Sequence, residues 1–257
     1  MKIHFSKYQG AGNDFIIIDN RNAQFESSNF KLNKKLCDRR LGIGADGLML
    51  LNASVDYEFE MVYYNADGNL GSMCGNGARC IVDFAKQVGL FDSECTFVAF
   101  DGPHYAQWTD KHVRLKMSDV TQIESIDGDY FMDTGSPHYI SFVDDVSSLD
   151  ILTQAKSIRY NQRFKSEGTN VNFVQLVNNA ISIRTYERGV ESETLACGTG
   201  AVACAIAAYE NGNIKSNSIL VKVVGGELGV DFMHNGSFTD VFLTGPYQEV
   251  FKGEIEC

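Results

Sequence analysis

A chain of 257 residues with 44% hydrophobic side chains can bury one large core or two smaller ones. Its net charge of −11 argues against nucleic acid or an anionic membrane as a partner, because both select basic patches. Met1 to Tyr8 lacks the apolar stretch of a signal peptide, and Phe15 to Ile18, the longest early apolar run, is far too short to span a bilayer, so a cytoplasmic location is expected.

Lys2 to Tyr8 alternates as a strand, and the turn Gly10 to Asp14 (G-A-G-N-D) leads into a second strand, Phe15 to Asp19. Asn13 in that turn either shapes the backbone or touches a ligand. Asn33 to Leu41 reads as a short helix capped by Asn33 and stopped at Gly42. The loop Gly42 to Gly47 lacks the Lys-Ser/Thr ending of a phosphate loop and runs into Leu48 to Leu51. Tyr57 to Tyr63 is apolar at alternate positions, a half-buried strand that delivers the turn Asn65-Ala66-Asp67-Gly68. Met73 to Cys80, M-C-G-N-G-A-R-C, then opens a helix over Gly77 to Val88 that stops at Gly89. Thr96 to Phe100, a hairpin through Thr109-Asp110, and Val113 to Met117 complete the first half.

The second half opens near Val120. It carries a strand at Tyr130 to Asp133, the turn Thr134 to His138, a strand at Tyr139 to Val143 and a helix capped at Ser147 or Ser148. Strands at Val171 to Val177 and Ile181 to Tyr186 precede Ala196 to Cys204, A-C-G-T-G-A-V-A-C, which opens a helix stopped at Gly212. A hairpin over Gly225 to Leu243, with Asn235-Gly236 at its tip, and a last strand at Glu249 to Glu256 follow.

The two halves echo each other. Cys74 and Cys197 each precede a Gly-x-Gly turn about half the chain apart. Gly44-Ala45-Asp46 matches Gly168-Thr169-Asn170, and Tyr64-Asn65 matches Tyr186-Glu187, at nearly the same offset. Two copies of one unit are expected: residues 1–117 carrying Cys74, joined by the final strand 249–257, and residues 118–248 carrying Cys197.

Seven cysteines at irregular spacing, with no secretion signal, argue for reduced thiols rather than a disulfide framework. Their spacing is too wide for zinc pairs, and Cys37, Cys80, Cys95 and Cys204 read as small core residues. Cys74 and Cys197 differ because each stands at a helix N-terminus, where unpaired N–H groups and the positive dipole end lower a thiol pKa from roughly 8.5 to about 3.5–7.5. The same N–H groups can hold a carboxylate. Facing each other, two such tips would put one acid–base group on each side of a carbon, the minimal equipment for inverting a stereocentre. The weakly acidic α-proton then loosens because preorganised dipoles hold the charge that builds on the carboxylate. No pyridoxal lysine motif, nicotinamide fingerprint or metal cluster stands in the sequence, so a cofactor-free and metal-free reaction is expected.

Six motifs together resemble the diaminopimelate epimerase family over the whole chain: G-x-G-N-D-F (Gly10 to Phe15), N-A-D-G, M-C-G-N-G-A-R-C, Pro137-His138, Y-E-R-G (Tyr186 to Gly189) and A-C-G-T-G-A. The resemblance implies an α+β fold of two pseudosymmetric α/β units, each a curved, mostly antiparallel sheet around a central helix. It implies interconversion of LL- and meso-2,6-diaminopimelate, a late step toward lysine and the peptidoglycan precursor, without pyridoxal and by two thiols. Carried over motif by motif, it makes Cys74 and Cys197 the acid–base pair, with His138 and Glu187 as the catalytic neighbours that set thiol protonation. Gly75, Asn76, Gly198 and Thr199 would hold the reacting carboxylate. Asn13, Asn65, Asn170, Glu187 and Arg188 would fix the rest of the substrate, the Arg188 fork suiting a distal carboxylate. Two positions depart from the family pattern: Ser136 stands where Asn is common, and Gly47 where Gln is. Expected partners are a small-molecule substrate, diaminopimelate, and at most a second copy of the chain in a homodimer.

Singly, these residues have blander readings. A cysteine at a helix tip is more often structural, His138 could be a packed turn histidine, and Glu187 with Arg188 could be a solvated charge pair. The doubled motif favours catalysis. Two rivals are a proline racemase-like enzyme, which needs no clamp for a second carboxylate, and a dithiol redox protein using Cys74 and Cys197.

Overall fold

The computed structural model describes residues 2–26, 28–71 and 73–257. The chain divides into two compact units, Met1–Leu115 with Gly245–Cys257 and Lys116–Thr244.

The first unit is built on β1 (Lys2–Gly10), β2 (Asn13–Asp19), α1 (Phe30–Cys37), β3 (Gly47–Asn52), β4 (Phe59–Asn65), α2 (Gly75–Gln87), β5 (Glu94–Ala99), β6 (Gly102–Trp108) and β7 (His112–Lys116). β1 pairs antiparallel with β2, β2 parallel with β3, β3 antiparallel with β4, β4 parallel with β5, and β5 antiparallel with β6. Helix α2 is buried at every position from Asn76 to Ala85, as a helix enclosed by a curved sheet must be. Phe15 and Met49 face it, a Cβ on Gly77 falling only 1.8 Å from Met49 Cε. Ile16, Ile18, Leu48 and Leu50 point to the opposite face and pack with Leu36 and Cys37 of α1. Both faces of β2 and β3 are therefore dry, which is why their sequences run continuously apolar.

Helix α1 begins earlier than its sequence suggests. Asn29 is the cap and accepts the Leu32 N–H, while Asn33 lies inside the helix and is buried. The register is set by Leu36 and Cys37, which must reach the core, and Asn29 is the residue placed to take the orphan amide.

The second unit comprises β8 (Glu124–Ile126), β9 (Asp129–Asp133), β10 (Pro137–Phe142), α3 (Ile151–Arg159), β11 (Asn170–Val177), β12 (Ala180–Glu187), β13 (Ser192–Thr194), α4 (Gly198–Glu210), β14 (Ser218–Val223), β15 (Gly226–His234) and β16 (Phe238–Pro246). Parallel β10–β11, antiparallel β11–β12, parallel β12–β14 and antiparallel β14–β15 repeat the ladder of the first unit step for step. Helix α4, buried from Gly200 to Ala208, takes the place of α2, and α3 covers the outer face through Ile151 and Ala155. Asp150, rather than Ser147 or Ser148, caps α3 by accepting the Thr153 N–H, because Ser147 is held in a turn by Asp145. The last strand, β17 (Gln248–Glu256), pairs antiparallel with β1.

The repeated ladder has a positional consequence. The starts of two parallel strands and the end of their antiparallel neighbour meet at one sheet end, as the register Phe15–Gly47–Asn65 shows. In the second unit His138 pairs with Asn170 at the corresponding place, and Glu187 ends β12 beside them. Among the described residues no helix is long and apolar enough to cross a membrane.

Candidate active site

Each central helix starts on a cysteine. Cys74 and Cys197 are the N-caps of α2 and α4, with φ, ψ of −113°, 113° and −117°, 114°. Neither side chain makes a capping hydrogen bond to its helix. Their carbonyls accept the Ala78 and Ala201 N–H groups at 2.7 and 2.9 Å, and the amides of the first turn remain outside the helical ladder. Each helix ends before a left-handed glycine, Gly89 (φ +79°) and Gly212 (φ +76°).

In the first unit an amide chain fixes the residues beside Cys74. Arg79, fully buried, donates to Asn76 Oδ1 at 2.7 Å; Asn76 Nδ2 donates to Asn13 Oδ1 at 2.7 Å; Asn13 Nδ2 donates to Asp46 Oδ2 at 3.0 Å. A cation at one end and a carboxylate at the other leave each amide one orientation. Asp46 shares Arg39 with Asp14, and Asp14 also pairs with Lys7 at 2.7 Å. Burial opposes ionisation of Asp14, but the Arg39 and Lys7 hydrogen bonds overcome it and bring the carboxyl down to about 2. Gly10 permits this approach, since a Cβ there would sit 2.9 Å from the Asn76 carbonyl oxygen. Gly75 faces open space. Asn65 is exposed at the end of β4, its backbone locked in the N-A-D-G turn by Asn69 and Gly68. Gly47 lies against the Tyr63 ring, where a Cβ would strike at 2.4 Å.

Arg79 escaped the sequence reading. Its guanidinium also donates to the carbonyls of Gly75 and Pro246, and among the described residues no carboxylate pairs with it. Asp83, one turn on, is occupied by Tyr8, Trp108 and Gln87. Burial lowers the Arg79 pKa. An arginine set between the glycine turn and the apolar run Cys80 to Val82 was the available signal.

The second unit gathers His138, Asn170, Glu187, Thr199 and Cys197. His138 is fully buried and lies 2.9 Å from Thr199 Oγ1 and 3.0 Å from the Asn172 amide nitrogen. Burial, with the Arg188 charge assisting, pushes its pKa down to about 3, so the ring is neutral at ordinary pH. Cys197 Sγ is 3.5 Å from Thr199 Oγ1 and hydrogen-bonds the Glu187 carboxyl, which also accepts from Thr194 Oγ1. Burial raises the Glu187 pKa against those two bonds. Asn170 Nδ2 donates to Ser136 Oγ and the Pro137 carbonyl, while its Oδ1 accepts the Arg188 N–H at 2.9 Å. Ser136 thus receives an amide proton rather than supplying one. The exposed Arg188 guanidinium donates to the Glu167 carbonyl. Gly200 lets α4 approach: a Cβ would meet Asn172 Oδ1 at 2.7 Å and His138 Cε1 at 3.2 Å.

The structure thus brings Asn13 and Asn76 together near Cys74, and His138, Asn170, Glu187 and Thr199 together near Cys197, each set within its own unit. Asn172 completes the second set and was absent from the sequence reading.

The family profile of diaminopimelate epimerase matches residues 5–123 and 130–250. A diaminopimelate epimerase from Flavobacterium psychrophilum is 48% identical, over 99% of this chain and 100% of its own. The chain belongs to the diaminopimelate epimerase family. One from Chlorobaculum tepidum is 44% identical over 96% of this chain and 98% of its own. Among solved structures, a Bacillus anthracis phenazine biosynthesis protein of the PhzF family shares the fold over 100% of both chains, with a TM-score of 0.77 at 12% identity. An Agrobacterium vitis hydroxyproline epimerase does so over 99% of this chain and 92% of its own, with a TM-score of 0.69 at 14% identity. The fold is the pseudosymmetric α+β architecture that the motifs implied. Family membership sets aside the two rivals, since the hydroxyproline epimerase shares only architecture.

Proposed function

We propose that the chain interconverts LL- and meso-2,6-diaminopimelate, an isomerisation in lysine biosynthesis that needs no cofactor. The observation that carries this reading is the pair of cysteine N-caps, neither making a side-chain capping bond, in a chain 48% identical to a diaminopimelate epimerase. One cysteine, as thiolate, takes the α-proton, and the other, as thiol, returns a proton to the opposite face of the same carbon. No electrons leave the system, and the pair ends with its protonation states exchanged. The first-turn amides at Gly75, Asn76, Gly198 and Thr199 hold the α-carboxylate and absorb the charge of the carbanion. The Glu187 carboxyl, hydrogen-bonded to Cys197 and raised by burial, takes and returns the Cys197 proton. Asn13, Asn65, Asn170 and Arg188 orient the distal half, Arg188 through its exposed fork.

LL-diaminopimelate in deuterated water should gain α-deuterium during turnover by the reduced protein without added cofactor. Cys74→Ala and Cys197→Ala should each lower epimerisation about 10²–10⁴-fold while keeping the native circular dichroism spectrum. Retained epimerisation in either folded variant refutes the two-thiol reading.

A further inference from the structure

Asn172 is fully buried on β11 and touches three groups. Its Nδ2 lies 3.0 Å from the Tyr139 carbonyl oxygen and 3.0 Å from His138 Nδ1, and its Oδ1 accepts from Thr185 Oγ1 at 2.9 Å. A carbonyl oxygen only accepts, so the atom facing Tyr139 must be the NH₂ group. That same NH₂ gives its second hydrogen to His138 Nδ1, which is therefore the unprotonated nitrogen. The proton of the neutral ring sits on Nε2 and is donated to Thr199 Oγ1 at 2.9 Å. Asn170, 3.4 Å from Nε2, does not compete, because its amide hydrogens go to Ser136 and Pro137. With His138 a donor, the Thr199 hydroxyl proton has one acceptor among the described residues, Cys197 Sγ at 3.5 Å.

We propose that Asn172 is a positioning residue for Cys197: it fixes the tautomer of His138, and through His138 and Thr199 aims a hydroxyl hydrogen at the Cys197 sulfur. His138 is then a fixed donor, not a base for the thiol. The relay steadies the thiolate when the Cys197 proton departs toward Glu187, and so rests on the two-thiol function proposed above. The other titratable groups in this unit that bear on the relay are Cys204, two turns along α4, and Arg188, whose charge acts on the ring.

Nitrogen-resolved NMR of the wild-type protein at pH 7 should show His138 protonated on Nε2 alone. Protonation on Nδ1 overturns the proposal, whether or not variants fold. In Asn172→Leu and in Thr199→Val, iodoacetamide labelling of Cys197 at pH 7, followed by peptide mass spectrometry, should slow about tenfold, equivalent to one unit of thiol pKa. Thr199→Val should keep the Nε2 tautomer and Asn172→Leu should lose it, while Cys74 labelling stays at the wild-type rate in both. Unchanged Cys197 labelling in either folded variant also overturns the relay. None of these readouts requires turnover, so loss of α-deuterium exchange in the wild type would sink the proposed function and leave the relay testable.

Discussion

At Cys197 the sulfur lies between an acceptor and a donor, the Glu187 carboxyl and the Thr199 hydroxyl. A thiol so placed can shed and regain a proton without moving a heavy atom, as repeated exchange demands. The buried imidazole behind it costs stability in acid. With a folded pKa near 3 and an ordinary unfolded value of 6.5, His138 binds a proton only in the unfolded chain between those limits. Stability supplied by this group is therefore full above pH 6.5 and falls as pH drops toward 3. Between pH 7 and pH 5 the loss attributable to His138 should be about 2 kcal/mol. Urea titrations of the wild type and His138→Gln check this: the pH slope should flatten in the variant. Arg79 makes a different prediction. Arg79→Leu removes the donor that orients Asn76 and frees two carbonyls, and should cost about 2–4 kcal/mol in the same assay.

For the helices, glycine position separates packing from function. A methyl at Gly200 would press on Asn172 Oδ1 and His138 Cε1, whereas one at Gly75 would meet nothing within 4 Å. Gly200→Ala should therefore lower stability by about 1–3 kcal/mol. Gly75→Ala should fold at least as well as the wild type yet raise KM, because its methyl enters the space over the first-turn amides. A Gly75→Ala protein with unchanged KM would remove the carboxylate from that helix tip. These helices were legible because both opened on C-G-x-G and closed on glycine. The starts of α1 and α3 were not, since several Asn, Asp and Ser residues stood in line for each cap and core contacts chose among them. Strands β8 and β13, three residues each, carry no periodicity to read.

Across the whole molecule one ladder serves two chemically unlike units. The first ties charged side chains to the amide chain beside Cys74: the buried Arg79 at one end, and at the other Asp46, which shares Arg39 with Asp14, itself paired with Lys7. The second keeps a neutral imidazole and a carboxyl that burial biases toward protonation. Asp14 is depressed to about 2, so its stabilisation is complete above the usual carboxylate pKa and fails only as pH falls toward 2. Through His138 acid should loosen the second unit first; Glu187, whose raised folded pKa makes its protonation favour the folded chain, offsets part of that loss. Hydrogen exchange at pH 5, corrected for intrinsic rate, should show β10 and α4 losing protection relative to pH 7 while α2 keeps its own; the reverse order would contradict this assignment of charge.

The sequence by itself determined the duplication, the two cysteine-tipped helices and the family, because repeats, glycine stops and motif residues are local patterns along the chain. Only the tertiary structure decided which amide faces which atom. Asn172 looks like any strand residue until Tyr139, Thr185 and His138 surround it, and Arg79 looks like a surface arginine until the sheet closes over α2. Orientation of a buried polar group depends on donors and acceptors far away in sequence, and folding alone brings them within hydrogen-bond reach.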